Sequence, residues 1–376
     1  MSALERIHSG IPAMDKAFEH IRIGDNVVWQ VSNLEDYHEF ARLLAKEQHA
    51  DGRNIVYIHF SEENQIFHDE DSITVYHVPL DHRFENFTVQ IHQLIASAPE
   101  KSVFVFDCLS ELQTAWATDL IMGDFFTLTS PLITALKSVA YFPILRGRHS
   151  FAAIARIRDT TQLFLDVYSN TSKIYIRPMK VSNRYSDTMF LPHIYERSTK
   201  RFYTATEGVD ISHFYQLMHR DSHQDHEQNE DSWDRFFRDA RVRYEQGEDI
   251  SQECRRMCNI MITRDDRLRE LVYDNFTPED YFEVRNHMIG TGMVGGKACG
   301  MLLARKLIEN HAPQTFSHLE PHDSFYIGSD VFYSYIVNNG FWDMRVRQRQ
   351  EKEYFSLSSA MSELLLKCSF SSSMKE

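Results

Sequence analysis

Short apolar runs alternate with helix-length segments through the first half of the chain, and this alternation leaves few architectures open to it. The runs are rich in β-branched residues: Val27–Val31, Ile55–Phe60, Ile73–Val78 and Val103–Phe106. Segments of helical character, notably Leu34–His49 and Phe87–Ala98, separate them. Strands that alternate with helices predict βαβ units, and therefore an α/β fold with a mainly parallel sheet flanked by helices.

The parallel sheet is predicted to end in an antiparallel hairpin. Two strand-like runs, Gln162–Tyr168 and Lys173–Val181, flank the polar turn formed by residues 169–172. A polar turn between two such runs is typical of a hairpin. Pro192 and the polar residues after it predict that this first domain ends near residue 205.

The loop after the first long strand lacks the residues that bind phosphate. In P-loop folds this strand leads into a glycine-rich loop whose backbone N–H groups and lysine hold the phosphates. Here the segment Ser32–Tyr37 contains neither glycine nor lysine, and it carries Glu35 and Asp36. Each carboxylate would repel a phosphate by about 1 kcal/mol or more. We therefore expect no ATP hydrolysis in the first domain, while binding of a nucleotide through its base stays open.

Acidic residues follow two of the predicted strands. Asp107 ends the run Val103–Phe106, as does the acid that holds Mg²⁺ in P-loop ATPases. Glu62 and Glu63 follow another run, where a base that activates water would lie. Because exposed acids at strand ends are usually solvated caps, we interpret these three residues as relics and predict no metal site.

The segment Leu4–Asp15 resembles the opening of the KaiC and RadA branch of the RecA superfamily. Glu62, Glu63 and Asp107 follow in the order shown by that branch, and Ile174–Lys180 is similar to its late strand ending in a basic residue. This resemblance covers residues 1–195 and implies a degenerate RecA-like domain over residues 1–205. The phosphate loop departs from the family pattern, so the family's ATPase activity is not expected.

Residues 206–285 are predicted to form an acidic linker and a helical connector. Residues 219–234 are strongly polar and acidic, and we interpret their histidines as parts of a solvated linker. Phe236, Phe237, Ala240 and Tyr244 then form an apolar stripe with helical spacing. Thr277 and the proline after it predict the start of another helix.

Composition excludes several classes of protein. The formal net charge of −14 argues against a nucleic-acid surface, which needs clustered lysine and arginine. The five cysteines are scattered, so we expect free thiols, including Cys254 and Cys258, which are four residues apart. The chain has neither an apolar run of membrane-spanning length nor a signal-peptide core at its start. We therefore expect a cytoplasmic protein without a membrane partner.

A second, glycine-rich loop lies at residues 290–297. Gly290, Gly292 and Gly295 match the dinucleotide pattern G-x-G-x-x-G, although the preceding residues favour a helix over the required strand. Gly296 and Lys297 then begin a predicted helix, whose free N–H groups and lysine charge suit an anion. The alternative is a flexible turn into a helix with a solvent-exposed lysine.

The segment Val294–Leu302 resembles the Gly-Gly-Lys start of the nucleotide-binding domain of phosphoenolpyruvate synthase and pyruvate phosphate dikinase. Phe325–Ile336 resembles the strand and helix that follow there. The resemblance implies that residues 286–376 are an incomplete, apparently truncated ATP-grasp-type α/β start. It also implies ATP bound at Gly292, Gly295, Gly296 and Lys297, with Mg²⁺ as a cofactor whose ligands lie outside this chain.

Together, the two resemblances imply part of an ATP-dependent phosphotransferase that acts on pyruvate or phosphoenolpyruvate, although this chain by itself would be catalytically incomplete. No catalytic residue is assigned. The first alternative is a non-catalytic RecA-like regulatory or oligomerisation module, which would allow a homo-oligomer. A working nucleotide triphosphatase with an unusual phosphate site is the weaker third interpretation.

Overall fold

The computed structural model describes residues 5–61, 65–68, 73–80, 83–116, 118–222, 229–320, 323–349 and 354–371. The chain divides into two compact units. The first unit comprises Met1–Ala115 and Phe125–Asn229, and the second comprises Trp116–Asp124 and Glu230–Glu376.

The first unit is an α/β structure built around a nine-stranded mixed sheet, in the order β11-β10-β9-β8-β3-β7-β6-β4-β5. A separate antiparallel pair is formed by β1 (Arg6–Ile7) and β2 (Ile21–Arg22). The strands of the large sheet are β3 (Asn26–Val31), β4 (Ile55–His59), β5 (Thr74–His77), β6 (Val103–Phe106), β7 (Val139–Leu145), β8 (Leu163–Ser169), β9 (Lys173–Val181), β10 (His193–Glu196) and β11 (Phe202–Thr204). The helices are α1 (Pro12–Ala17), α2 (Leu34–Ala50), α3 (Phe84–Ser97), α4 (Leu112–Trp116), α5 (Asp119–Ala135), α6 (Phe151–Thr160) and α7 (Gly208–Ser222), and α4 and α5 include residues of the segment 116–124.

The predicted mainly parallel sheet is confirmed. The six strands from β5 to β8 in the sheet order run parallel, and β8, β9, β10 and β11 pair antiparallel. All four predicted apolar runs form strands, and the predicted hairpin is β8 and β9. The β3 strand has neighbours on both edges and side chains buried on both faces, which explains its nearly continuous apolar sequence. The β6 strand also lies inside the sheet, with Asp107 immediately after its carboxyl end.

Several elements of the first unit were not predicted. The β7 strand lies between β3 and β6, although Pro143 interrupts its run of hydrogen-bond donors. The β10 strand and the edge strand β11 follow Pro192, where the sequence predicted only polar chain. The compact unit continues past residue 205, because Phe214 of α7 is buried against Tyr168 and Tyr175 of the sheet.

The second unit is mostly helical and has its own core. Its elements after residue 229 are α8 (Ser232–Glu245), α9 (Ser251–Met257), a π-helical turn (Cys258–Ile262), α10 (Asp266–Asn275), α11 (Pro278–Asn286), β12 (Met288–Ile289), α12 (Gly296–His311), α13 (Pro313–Phe316), β13 (Tyr326–Ile327), α14 (Ser329–Asn338), α15 (Trp342–Gln348) and α16 (Tyr354–Leu365). The predicted stripe on α8 is confirmed, since Phe237 and Ala240 are buried in that core. Thr277 caps the start of α11 as predicted, and its N–H donates to Asp280 over 2.6 Å.

Two further predictions concern cysteines and membranes. All five cysteines are free thiols, and burial raises the pKa of Cys258 to about 12, well above the range of a reactive thiol. Among the described residues, no helix combines the length and the apolar character that a membrane crossing requires.

Candidate functional site

The carboxyl end of β3 is where an open parallel sheet of this kind would bind a ligand. Only Ser32 and Asn33 separate β3 from α2, so no room remains for a phosphate loop. The Asn33 side chain caps the helix by accepting the N–H of Glu35 over 3.1 Å. The loop is therefore replaced by an ordinary capped turn.

Carboxylates fill the first turns of α2. Asp36 is buried and is hydrogen-bonded to the guanidinium of Arg197, which also lies 2.8 Å from Glu39. Burial raises the pKa of Asp36 above its usual range, although Arg197 opposes that rise. An anion that approached the start of α2 would meet the carboxylate of Asp36, and the nearby Arg197 is already paired with it. The helix start therefore does not suit a phosphate.

A buried ion pair crosses the end of β3. Arg146 follows β7, and its Nη2 lies 2.5 Å from Oδ1 of Asp166 on β8. The same guanidinium donates to the carbonyl oxygens of Gln30 and Val167 and lies over the ring of Tyr168. Burial alone would lower the pKa of Arg146, but the charge of Asp166 raises it above its usual value. The pair closes the part of the sheet edge where a nucleotide would have to enter.

Asp107 is occupied by donors from the protein itself. It is 2% exposed, and its Oδ2 accepts the N–H groups of Phe60 and Ser61 over 2.7 and 2.8 Å. The hydroxyl of Tyr57 bonds to its other oxygen, and Nδ1 of His59 lies 2.7 Å from Oδ2. The hydrogen bond to Asp107 raises the pKa of His59. These contacts join the ends of β4 and β6 and leave Asp107 unsuited to bind Mg²⁺. The other two acids of that hypothesis, Glu62 and Glu63, lie outside the described residues.

The glycine-rich loop of the second unit lies inside a small βαβ arrangement. The β12 strand precedes the loop, α12 follows it, and β12 pairs parallel with β13. The prediction of a helix before the loop is confirmed by α11, but the two-residue β12 strand intervenes and supplies the strand that the dinucleotide pattern requires.

The first half of the loop is fastened to the start of α14. Asp330 accepts the N–H of Thr291 over 2.8 Å and its hydroxyl over 2.7 Å, and Ser329 accepts the N–H of Met293 over 3.1 Å. Gly292 has φ +88°, and a Cβ there would lie 2.5 Å from Oγ of Ser329. Gly292 therefore permits close packing inside the unit. Both carboxylate oxygens of Asp330 are engaged by Thr291.

The second half of the loop is open. Gly295 has φ +87°, and a Cβ built at Gly295 or at Gly296 would meet no atom within 4 Å. Gly295 precedes α12, whose first turn contains no acidic residue, in contrast to α2. Lys297 is exposed, and within the described part of the chain its ammonium group makes neither a hydrogen bond nor an ion pair.

Three of the four predicted cofactor-binding residues, Gly295, Gly296 and Lys297, thus lie together around the start of α12, while Gly292 lies in the braced half of the loop. Sequence reasoning missed Arg146 and Asp166 in the first unit. Their signal was a charged residue directly after an apolar run and another inside one. Comparison of the chain with protein-family models and with curated proteins finds no match.

Proposed function

We propose that the second unit binds the phosphates of ATP at Gly295, Gly296 and Lys297. The observation that carries the proposal is the open glycine pair at the start of α12, next to a lysine that is unpaired among the described residues. Helix N-termini present N–H groups without intrahelical partners and carry a partial positive charge, both of which favour phosphate. Glycine lets an anion approach the backbone closely, and here no neighbouring side chain occupies that space.

The reaction class that fits best is ATP-dependent phosphoryl transfer of the phosphoenolpyruvate synthase and pyruvate phosphate dikinase type. Support comes from the resemblance of Val294–Leu302 and Phe325–Ile336 to that family, and from the strand–loop–helix–strand order in which the two segments lie. Pyruvate or phosphoenolpyruvate is the proposed second substrate. Mg²⁺ would accompany ATP, and none of its protein ligands is assigned here.

For the first unit we propose a RecA-like module that does not hydrolyse nucleotide. The sheet order supports this assignment, because β3 lies inside the parallel strands and one strand separates it from β6, which Asp107 follows directly. The Arg146–Asp166 pair and the capped turn at Asn33 favour a regulatory or oligomerisation role over catalysis. Phosphate release from Mg·ATP by the wild type that Asp107→Asn abolishes would contradict this assignment.

Calorimetry with Mg·ATP on the 376-residue chain tests the site. Lys297→Ala should weaken binding about ten- to a hundredfold, because a charge-assisted contact contributes about 1.5–3 kcal/mol. Lys367→Ala is the matched control, since it removes another exposed lysine from the same unit. Equal affinities for the wild type and both variants would make the glycine loop a simple helix start, and the regulatory module would become the better description of the chain.

A further inference from the structure

Two histidines and an aspartate meet at the β1–β2 pair of the first unit, and nothing in the proposed function uses them. Ile7 of β1 pairs with Ile21 of β2 in antiparallel register. The next residue on one side is His8 and the preceding residue on the other is His20, so the pairing sets the two imidazoles opposite each other. Their ring centroids are 5.4 Å apart.

The third member of the group is Asp15, which α1 carries between the two strands. Asp15 is 3% exposed, and its Oδ1 accepts the N–H of Ser9 over 3.0 Å. Its other oxygen, Oδ2, is buried and accepts no hydrogen bond from the described residues. Nδ1 of His8 lies 3.4 Å from this Oδ2. A buried carboxylate oxygen without a donor is costly, and here the nearest imidazole nitrogen is that of His8.

The third ligand atom would come from His20. Its Nδ1 is also buried and has no hydrogen-bond partner in the part of the chain that the structure describes. One ligand atom from each of His8, Asp15 and His20 lies within 4.8 Å of the other two. Zinc bonds of about 2.0–2.1 Å at tetrahedral angles place ligand atoms about 3.3 Å apart, close to the separation between His8 and Asp15. The His8 side chain is 58% exposed, so its ring can move to complete the geometry.

The backbone on both sides of the group is held by other residues. Gln48 Nε2 donates to the carbonyl oxygen of His8 over 2.7 Å. Arg184 Nη1 donates to the carbonyl oxygen of His20 over 2.6 Å, and Asp25 neutralises the guanidinium from 2.7 Å. These contacts fix the positions from which the two imidazoles project, as the supporting residues of metal sites do.

We propose that His8, Asp15 and His20 form a binding site for a first-row divalent metal ion of the zinc type. Two imidazoles and one carboxylate are a donor set that suits such an ion, and the exposed side of His8 leaves a coordination position for water. This site is independent of the ATP site and lies in the other unit.

The test is a calorimetric titration of ZnCl₂ into the metal-free 376-residue chain. The wild type should bind one zinc ion that His8→Asn and Asp15→Asn each weaken at least tenfold. Asparagine at position 15 keeps an acceptor for the N–H of Ser9, and His8 is exposed, so neither change should prevent folding. His49→Asn is the matched control, because it removes an exposed imidazole outside the group from a chain with 19 histidines.

A second measurement protects the test against indirect effects on folding. Co²⁺ in place of zinc should give the visible absorption of a tetrahedral site in the wild type and in His49→Asn. That absorption should be lost in both His8→Asn and Asp15→Asn, while circular dichroism shows the same fold for all four proteins. Absence of zinc binding by the wild type, or equal binding by the wild type and the His8 and Asp15 variants, would overturn the proposal and leave an ordinary histidine–aspartate contact.

Discussion

Replacing Arg146 with methionine should destabilise the first unit strongly, because the change leaves the buried carboxylate of Asp166 without its cation. The side chains of Arg146 and Asp166 are 8% and 10% exposed, and removal of one partner of a buried pair costs about 3–5 kcal/mol. We expect the lower part of that range, since the hydroxyl of Tyr168 still donates to Asp166 Oδ2 over 2.9 Å. Arg146→Met combined with Asp166→Leu should recover most of the loss, because no charge is then left without a partner.

The assay is urea unfolding, in which pulsed hydrogen exchange of the β3 and β7 peptides measures the unfolded fraction. These peptides report on the first unit alone. Lys137→Met is the control, since its pair with Glu100 is 3.5 Å long and largely exposed and should contribute less than about 1 kcal/mol. If Arg146→Met cost no more than Lys137→Met, the guanidinium would be solvated. The argument that an ion pair closes the end of β3 would then fail.

Two further predictions concern the second unit. Gly328→Ala should destabilise that unit by about 1–3 kcal/mol in urea unfolding, because a Cβ there would lie 2.2 Å from the backbone oxygen of Thr291. The control is Gly300→Ala, at an open helical position, which should not destabilise the unit. Burial, together with the charge of Asp119, raises the pKa of Asp231 to about 7. Between about pH 4 and pH 7 the folded state therefore holds a proton that the unfolded state releases. The free energy of unfolding should decrease as the pH rises through this range, by at most about 1.4 kcal/mol per pH unit. Asp231→Asn should flatten this slope; an unchanged slope would assign it to another group.

Much of the first unit could be predicted because its central strands β3, β4 and β6 are buried on both faces. Such strands have continuous apolar sequences, and the predicted run Val103–Phe106 has the same bounds as β6. The β7 strand was missed because Pro143 is rare inside a sheet and argues against a strand by itself. It is tolerated here among apolar neighbours, a context that only the folded sheet provides.

A candidate site could be predicted only where all its residues lie in one continuous segment of the sequence. The helix start at Gly296 and Lys297 is continuous in sequence, so its position followed from glycine chemistry. The brace from Asp330 to Thr291 spans 39 residues, and nothing local indicates it. The approach of His8 to His20 likewise depends on the register of two short strands. Contacts of this kind are set by tertiary packing, which residue patterns do not encode locally.

The most direct test of the ATP site compares Gly296→Ala with Gly300→Ala in a Mg·ATP titration. Both glycines are exposed, and a Cβ at either meets no atom within 4 Å, so neither change should harm the fold. Only position 296 lies where a phosphate would approach the N–H groups at the start of α12. We predict that Gly296→Ala weakens ATP binding about tenfold or more while Gly300→Ala leaves it unchanged. Wild-type affinity in Gly296→Ala, or no binding by the wild type, would contradict the assignment of ATP to this loop.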